Sequence, residues 1–393
     1  MSKPATLIPR LLAEVLADSH RYAPGIEQRR PTLLRDRSPR GVLRLAREGL
    51  RDVAERAAAQ AGFSHRHFDP EVGARNLARI LELADGLEAT YASLGDGHSR
   101  RVMLDVLKLR VLGPYHSSLR ITPHEYRRRQ AQADRRLRVA RATFAVSDPY
   151  FSPLSLYRVP LDGGDEVTLH CHSVDVVNVF LLGQYGYRRD GREVSAARGE
   201  VALDVGGCWG DTALYFAHRV GSEGRVITFE FDPENLELMR TNLALNQRLS
   251  ERIELAAHAL WSRSGETLEV AQAGRMTTVF QDAEVGAGTL RIPTLTLDDF
   301  AARRALERVD FVKMDVEGAE LEVIEGARET LRRFAPKLAI AAYHRDDDLV
   351  RIPAALSAVN PGYRFYLDSF APVEDETILF ALAPKATSES NAT

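Results

Sequence analysis

The sequence predicts an α/β fold: a mostly parallel sheet covered by helices, preceded by a mainly helical region. Three observations carry that expectation. From Val201 onward, short β-branched apolar runs alternate with runs of helical period. Before about residue 143 nearly every apolar run has the i, i+3, i+4 spacing of a helix. Between the two lies a change of period, with strand-like segments separated by turn residues.

The length of 393 residues exceeds one ordinary core, so more than one domain is expected. A hydrophobic fraction of 45% with 27% charged residues is that of a globular protein in water. No apolar run reaches the roughly 18 residues a membrane helix needs. The opening stretch MSKPATLIPRLLAEVLADSH places Glu14 inside its apolar run, so it reads as an amphipathic helix rather than a leader. Cys171 and Cys208 fall in unlike contexts and read as free thiols, which fits a reducing cytoplasm. The net charge of −3 conceals a basic first 150 residues and an acidic remainder. The basic residues sit among alanines and leucines at helical spacing, without an aromatic or RNA-binding motif. They read as a solvated helix face or a protein contact, not a nucleic-acid surface.

Taken in order, residues 4–18 and 39–61 are expected helices, the second with Val42, Leu45, Ala46, Leu50 and Val53 in register. Pro70 to Tyr91 is a third, with Asp69 and Pro70 as cap and first-turn pair. Gly95-Asp96-Gly97 breaks the pattern, and Arg100 to Leu112 resumes it. Thr122-Pro123 opens a basic helix to about Arg141. Strands are expected at 154–161, 167–173 and 176–187. His170 and His172 share one strand face but lack a nearby third ligand, so no metal site is assigned to them. The stretch 188–198, containing Asp190-Gly191, reads as a hairpin or turn.

The alternating part begins with VALDV (201–205) and a helix at 211–220. It continues through RVITFEF (225–231), a helix from Pro233 to Leu249, and IELAAHAL (253–260). TLEVAQ, MTTVFQD and LRIPTLTLDDF read as edge pieces. VDFVKMDV (309–316), a helix from Ala319 to Phe334, and KLAIAAYH (337–344) follow. A helix from Ile352 to Val359 and the strands YRFYL and TILFALA, a pair suited to an antiparallel edge, complete it. The expected organisation is a helical accessory region at 1–143, a strand-rich lead-in at 144–199, a ligand-binding domain at 200–383 and a tail without apolar periodicity at 384–393.

In such sheets ligands bind beyond the carboxyl ends of the strands. That rim gathers Asp204 to Gly210, Glu230, His258 to Trp261, Asp315 to Glu317, and Tyr343-His344. Glycines at 206, 207 and 210 let backbone approach a ligand, and the following helix start offers N–H donors. Asp204 repels a polyphosphate but suits a ligand carrying an ammonium group. Glu230 lies one strand–helix–strand unit later, where a carboxylate can accept from both hydroxyls of a ribose. The turn reads GGCWGD, not the G-x-G-x-x-G of dinucleotide sites, which disfavours a nicotinamide oxidoreductase. S-adenosylmethionine meets all of these demands.

DVGGCWGDTALYFA, FEFDPENLELMRTNLALN and, above all, VDFVKMDVEGAELEVIEGA resemble the FkbM family of S-adenosylmethionine-dependent methyltransferases, over roughly residues 180–382. The resemblance implies a class I, Rossmann-like methyltransferase fold and methylation of hydroxyls on sugars, polyketides or other small metabolites. It implies that Gly206, Gly207 and Gly210 lie against the cofactor's amino-acid end and that Asp204 fixes its ammonium, directly or through water. Glu230 takes the ribose, Phe231 packs on the adenine side, His258 and Ala259 border the adenine, and Asp315 lies beside the methionine part and the acceptor. The Cys208-Trp209 pair departs from the commoner form of the turn.

A sulfonium methyl is already activated, so the protein has to align a lone pair and remove a proton. His344 is the first candidate base and Glu317 the second, with Asp346, Asp347 and Asp348 placed to orient His344 or hold a cation. The expected partner is a small-molecule acceptor, with no nucleic acid or membrane, and the helical region is a candidate surface for self-association. N-methylation of an amine or peptide, and a non-catalytic module that senses the cofactor, are the alternatives.

Overall fold

The computed structural model describes residues 6–22, 70–113, 119–147, 152–271 and 289–384. The expected helix at 39–61, the Asp69 cap, the MTTVFQD strand and the tail beyond Pro384 lie outside the described residues. The chain divides into two units. One holds Met1–Tyr126 with Asp346–Arg351 and Leu367–Thr377; the other holds Arg127–Arg345, Ile352–Tyr366 and Ile378–Thr393.

The first unit is built on α1 (Leu7–Tyr22), α2 (Pro70–Glu82), α3 (Ala84–Ser93) and α4 (Gly97–Leu112). The single helix expected from Pro70 to Tyr91 is two, broken at Leu83. Asp96 caps α4, its carboxylate accepting from Ser99 N at 2.8 Å. Basic residues of this unit are partly spent inside it. Lys108, buried on α4, pairs with Asp18 at 2.6 Å and Glu14 at 3.3 Å on α1, and Arg101 reaches Glu14 at 2.9 Å.

The α5 helix (Pro123–Arg136) is capped by Thr122, whose hydroxyl accepts from Glu125 N at 3.2 Å. It ends earlier than its arginine spacing predicts, because residues 138–144 form β1 (Arg138–Phe144) instead. β1 pairs antiparallel with β2 (Leu154–Pro160), and β2 with β3 (Glu166–Cys171), so a ladder made at long range overrides the local helical pattern. A second departure follows. The β-branched run VVNVFL at 176–181 is helical, not a strand. His172 starts that turn with a reciprocal cap: its Nδ1 accepts from Val174 N, and its own N–H donates to Asp175 at 2.9 Å. The expected hairpin is present as β4 (Tyr187–Arg189) and β5 (Arg192–Val194), with Asp190 and Gly191 at φ of 50° and 75° in the turn between them.

The remaining elements make the central sheet, its cover and a separate three-stranded sheet. They are β6 (Val201–Val205), α6 (Asp211–Val220), β7 (Arg225–Phe229), α7 (Pro233–Ala244), β8 (Ile253–Ala256), β9 (Ala259–Leu260), β10 (Thr267–Ala271) and β11 (Thr289–Leu295). After these come α8 (Leu297–Arg303), β12 (Phe311–Met314), α9 (Glu320–Glu325), α10 (Arg328–Phe334), β13 (Lys337–Ala341), α11 (Asp348–Val359), β14 (Arg364–Ser369) and β15 (Thr377–Leu382). The seven-stranded sheet runs in the order β14-β15-β13-β12-β6-β7-β8. β13, β12, β6, β7 and β8 pair in parallel, and β15 is antiparallel to β13. The β14 and β15 pair therefore stands at one end of the sheet and joins it antiparallel through β15, as the sequence suggests.

All five residues of β6 and all four of β12 are buried, as strands covered on both faces require. Phe216 of α6 packs edge-on against Phe311 of β12, ring centroids 5.3 Å apart. The chain leaves β6 for β7 and β8 on one side and returns to β12 on the other. The carboxyl ends of β6 and β12 thus flank the switch point where α/β sheets open a crevice.

Candidate active site

The turn after β6 is held by close backbone approaches. Gly206 has φ of +84°, and a Cβ placed on it would stand 1.9 Å from the Asp315 carbonyl oxygen. A Cβ on Gly207 would stand 2.0 Å from Thr228 Oγ1, and one on Gly210, at φ +85°, 2.9 Å from Met239 Cγ. The N–H groups of Gly206 and Gly207 donate to the Phe229 carbonyl at 3.1 and 2.8 Å, so these two glycines shape the turn rather than present donors. Cys208 sits at φ 43°, and its N–H donates to Glu230. Trp209 is buried under the turn, donating Nε1 to Asn235 at 3.1 Å, while its carbonyl accepts from Asn242 at 2.9 Å. The Cys208-Trp209 pair therefore ties the turn to α7. Asn242 also reaches His170 of β3 through both its groups, at 2.7 and 3.0 Å, so His170 is part of a packed edge.

Asp204 lies beneath the turn with no exposure. Its carboxylate accepts from Thr212 at 2.9–3.0 Å and Thr228 at 3.0 Å, and pairs with Lys313 Nζ at 3.4 Å. Lys313 is itself 2% exposed and donates to the Gly206 carbonyl. Burial works to lower the Lys313 pKa, but the carboxylates of Asp204, Asp315 and Asp211 outweigh it and the net shift is upward. Asp204 is thus committed to a buried pair that braces the turn from below. Sequence reasoning missed Lys313; its signal is a lysine in the middle of the apolar strand FVKM.

Glu230 closes the end of β7, 7% exposed. Its Oε1 accepts from Phe231 N at 2.6 Å and Asp232 N at 2.8 Å. Burial pushes its carboxyl up to about 7, against the pull of the Asp232, Phe231 and Cys208 N–H groups. Phe231 is half-buried beside it, and Asp232 caps α7 through Glu234 N at 2.8 Å. His258 is exposed beyond β8, its ring 6.3 Å from Phe300, and Ala259 is buried in β9.

Beyond β12 and β13 lies a cluster of charged groups. His344 Nδ1 is 3.0 Å from Glu320 Oε1, and its Nε2 is 3.5 Å from Asp315 Oδ1 and 3.4 Å from Glu317 Oε2. Burial works against a charged imidazole, but Glu320, Asp315 and Glu317 prevail and push the His344 pKa up to about 10. Tyr185 donates to Asp315 Oδ2 at 2.7 Å, and its ring lies 5.3 Å from Lys313 Nζ. Glu317 has φ of 53°, a left-handed conformation rare for a residue with a side chain. Asp315, Glu317 and His344 are therefore brought together, and the Gly206–Asp315 contact joins them to the turn. Tyr185 was not expected at the site, since its run read as a strand.

A family model described as the methyltransferase FkbM domain matches residues 193–365. This stretch is an FkbM methyltransferase domain. The family, enzyme class and cofactor implied by the motifs, methyl transfer from S-adenosylmethionine, hold for this domain. A crystal structure of methyltransferase FkbM from Methylobacillus flagellatus KT shares the fold, with a TM-score of 0.51 at 20% identity, covering 83% of this chain and 69% of that one. Among curated proteins, 2-O-methyltransferase NoeI of Sinorhizobium fredii (strain NBRC 101917 / NGR234) is 44% identical over 46 residues. The match spans 12% of this chain and about a fifth (19%) of that relative's length. No helix among the described residues of the FkbM domain or its neighbours is long and apolar enough to cross a membrane.

Proposed function

We propose that the chain transfers the methyl group of S-adenosylmethionine to a hydroxyl oxygen of a small acceptor: a sugar, a polyketide or another metabolite. The carrying observation is the abutment of Gly206 on Asp315, which puts the cofactor turn and the Asp315–Glu317–His344 cluster side by side at the sheet's switch point. The 2-O-methyltransferase name of the short NoeI match supports oxygen as the acceptor atom.

The residues fit the cofactor's parts. Glycine at 206, 207 and 210 lets the turn close against Asp315, Thr228 and Met239, and the buried carboxylate of Glu230 stands where ribose hydroxyls can donate to it. Phe231 and His258 offer partly open faces on the adenine side, next to Ala259. The Asp204–Lys313 pair holds the turn in shape, and Asp204 acts on the ammonium end through that turn. The cofactor supplies an activated methyl on a sulfonium. Asp315 and Glu317 orient the acceptor hydroxyl, and one of these carboxylates, held in place by His344, receives its proton as the oxygen–methyl bond forms and the sulfur–methyl bond breaks.

Incubation with methyl-labelled S-adenosylmethionine and pools of saccharides, polyketides, amines and peptides, read by mass spectrometry, tests the reading. Label on a hydroxyl oxygen supports it; label on nitrogen alone, or on nothing, contradicts it.

A further inference from the structure

Asp315, Glu317 and His344 each offer one ligand atom, and these atoms all lie within 4.8 Å of one another. The separations from His344 Nε2, 3.5 Å to Asp315 Oδ1 and 3.4 Å to Glu317 Oε2, are longer than hydrogen bonds. They match neighbouring ligand atoms of one small divalent ion in tetrahedral geometry, about 3.3–3.6 Å apart for bonds of 2.0–2.2 Å, and have to close by about 0.4 Å around an octahedral one.

A second observation points the same way. The His344 side chain is only 10% exposed, and its Nε2 has no hydrogen-bond partner although it faces two carboxylates. Its other nitrogen is taken: Nδ1 lies 3.0 Å from Glu320 Oε1, and that oxygen also accepts from Val316 N at 3.0 Å. Glu320, 1% exposed, is thereby fixed behind the ring. A carboxylate that holds one imidazole N–H fixes the ring with the opposite nitrogen forward, free to exchange its proton for a cation, the arrangement by which proteins orient a histidine ligand. Tyr185 plays the same part for Asp315, donating to Oδ2 at 2.7 Å while Oδ1 faces His344.

We propose that Asp315, Glu317 and His344 hold one divalent cation, with Glu320 and Tyr185 orienting the ligands and the acceptor hydroxyl taking an open coordination position. The ligand set, two carboxylates and one imidazole, suits Mg²⁺ or Mn²⁺ and admits other first-row ions. A hydroxyl bound to such an ion is acidified, so its proton leaves to water or to a neighbouring carboxylate before the oxygen takes the methyl. The role at the hydroxyl rests on the proposed methyl transfer; the cation site itself does not.

Mn²⁺ titrated into the chelator-stripped full-length protein, without cofactor or acceptor and followed by electron paramagnetic resonance, is the test. One bound Mn²⁺ per chain with an imidazole nitrogen coupling is expected. His344→Gln removes that coupling, and Glu320→Gln weakens the ion about 10–100-fold. Thermal unfolding of each variant confirms that it folds. Absence of stoichiometric Mn²⁺, or bound Mn²⁺ without nitrogen coupling in the wild type, overturns the site. S-adenosylhomocysteine titrated by calorimetry into the same samples reads the methyltransferase assignment separately, so a protein that binds it but no Mn²⁺ refutes the cation site alone.

Discussion

The carbonyl oxygen of Asp315 occupies the space that a side chain on Gly206 would need, 1.9 Å from an ideal Cβ. Two strand ends, of β6 and β12, are therefore locked at backbone level, and neither can shift without the other. Gly206→Ala combines this clash with a φ of +84°, so a destabilisation of more than about 1 kcal/mol is expected. Urea unfolding measures it; an unchanged midpoint contradicts the packing described.

Lys313 and Asp204 form a buried pair whose partners cannot be removed one at a time. Lys313→Met leaves the Asp204 carboxylate without its cation and is expected to cost about 3–5 kcal/mol. Adding Asp204→Asn should recover part of the loss, because no uncompensated charge remains. A double variant as unstable as the sum of the singles contradicts the pairing.

The Glu230 carboxyl, raised by burial from 4.5 to about 7, predicts a pH window. The folded chain holds this proton more tightly than the unfolded chain does. Its stabilising contribution is therefore full below about pH 4.5 and is lost as pH rises through about 7. Hydroxyls of a bound ribose satisfy the ionised form, so the melting-temperature gain from S-adenosylhomocysteine should grow between pH 5.5 and 8. Glu230→Gln should flatten that growth. A gain independent of pH in the wild type contradicts the assignment.

The Asp315–Glu317–His344 cluster is assigned to the acceptor, not to the cofactor's ribose or adenine. His344→Gln removes the group that orders the Asp315 and Glu317 carboxylates at the acceptor, so kcat should fall by about 10²–10⁴, the range for disabled acid–base machinery, while S-adenosylhomocysteine affinity changes little. Steady-state kinetics beside calorimetry separates the two. Equal losses in both place His344 on the cofactor instead.

The parts of the site legible in the sequence are those that depend on neighbours in the chain. VALDV, its glycine turn and the α6 start read correctly because an apolar strand, positive-φ glycines and a helix lie in one short run. The place of Glu230 at the end of β7 is legible because a strand–helix–strand unit sets its distance from Asp204. What long-range partners decide was not legible. Residues 138–144 carry a helix-like arginine spacing, yet pair with β2. Val176 to Leu181 is β-branched, yet the His172–Asp175 cap starts a helical turn there. That turn brings Tyr185 to Asp315. The Lys313–Asp204 pair forms across adjacent strands more than a hundred residues apart in sequence, and periodicity carries no sign of it.

Calorimetric titration of S-adenosylhomocysteine into the wild-type protein and Glu230→Ala tests the central claim most directly. One molecule per chain should bind, and the variant should lose about 1–3 kcal/mol of affinity, the cost of removing a charged hydrogen-bonding partner. Absence of binding by the wild type, or binding of NAD in its place, contradicts the account.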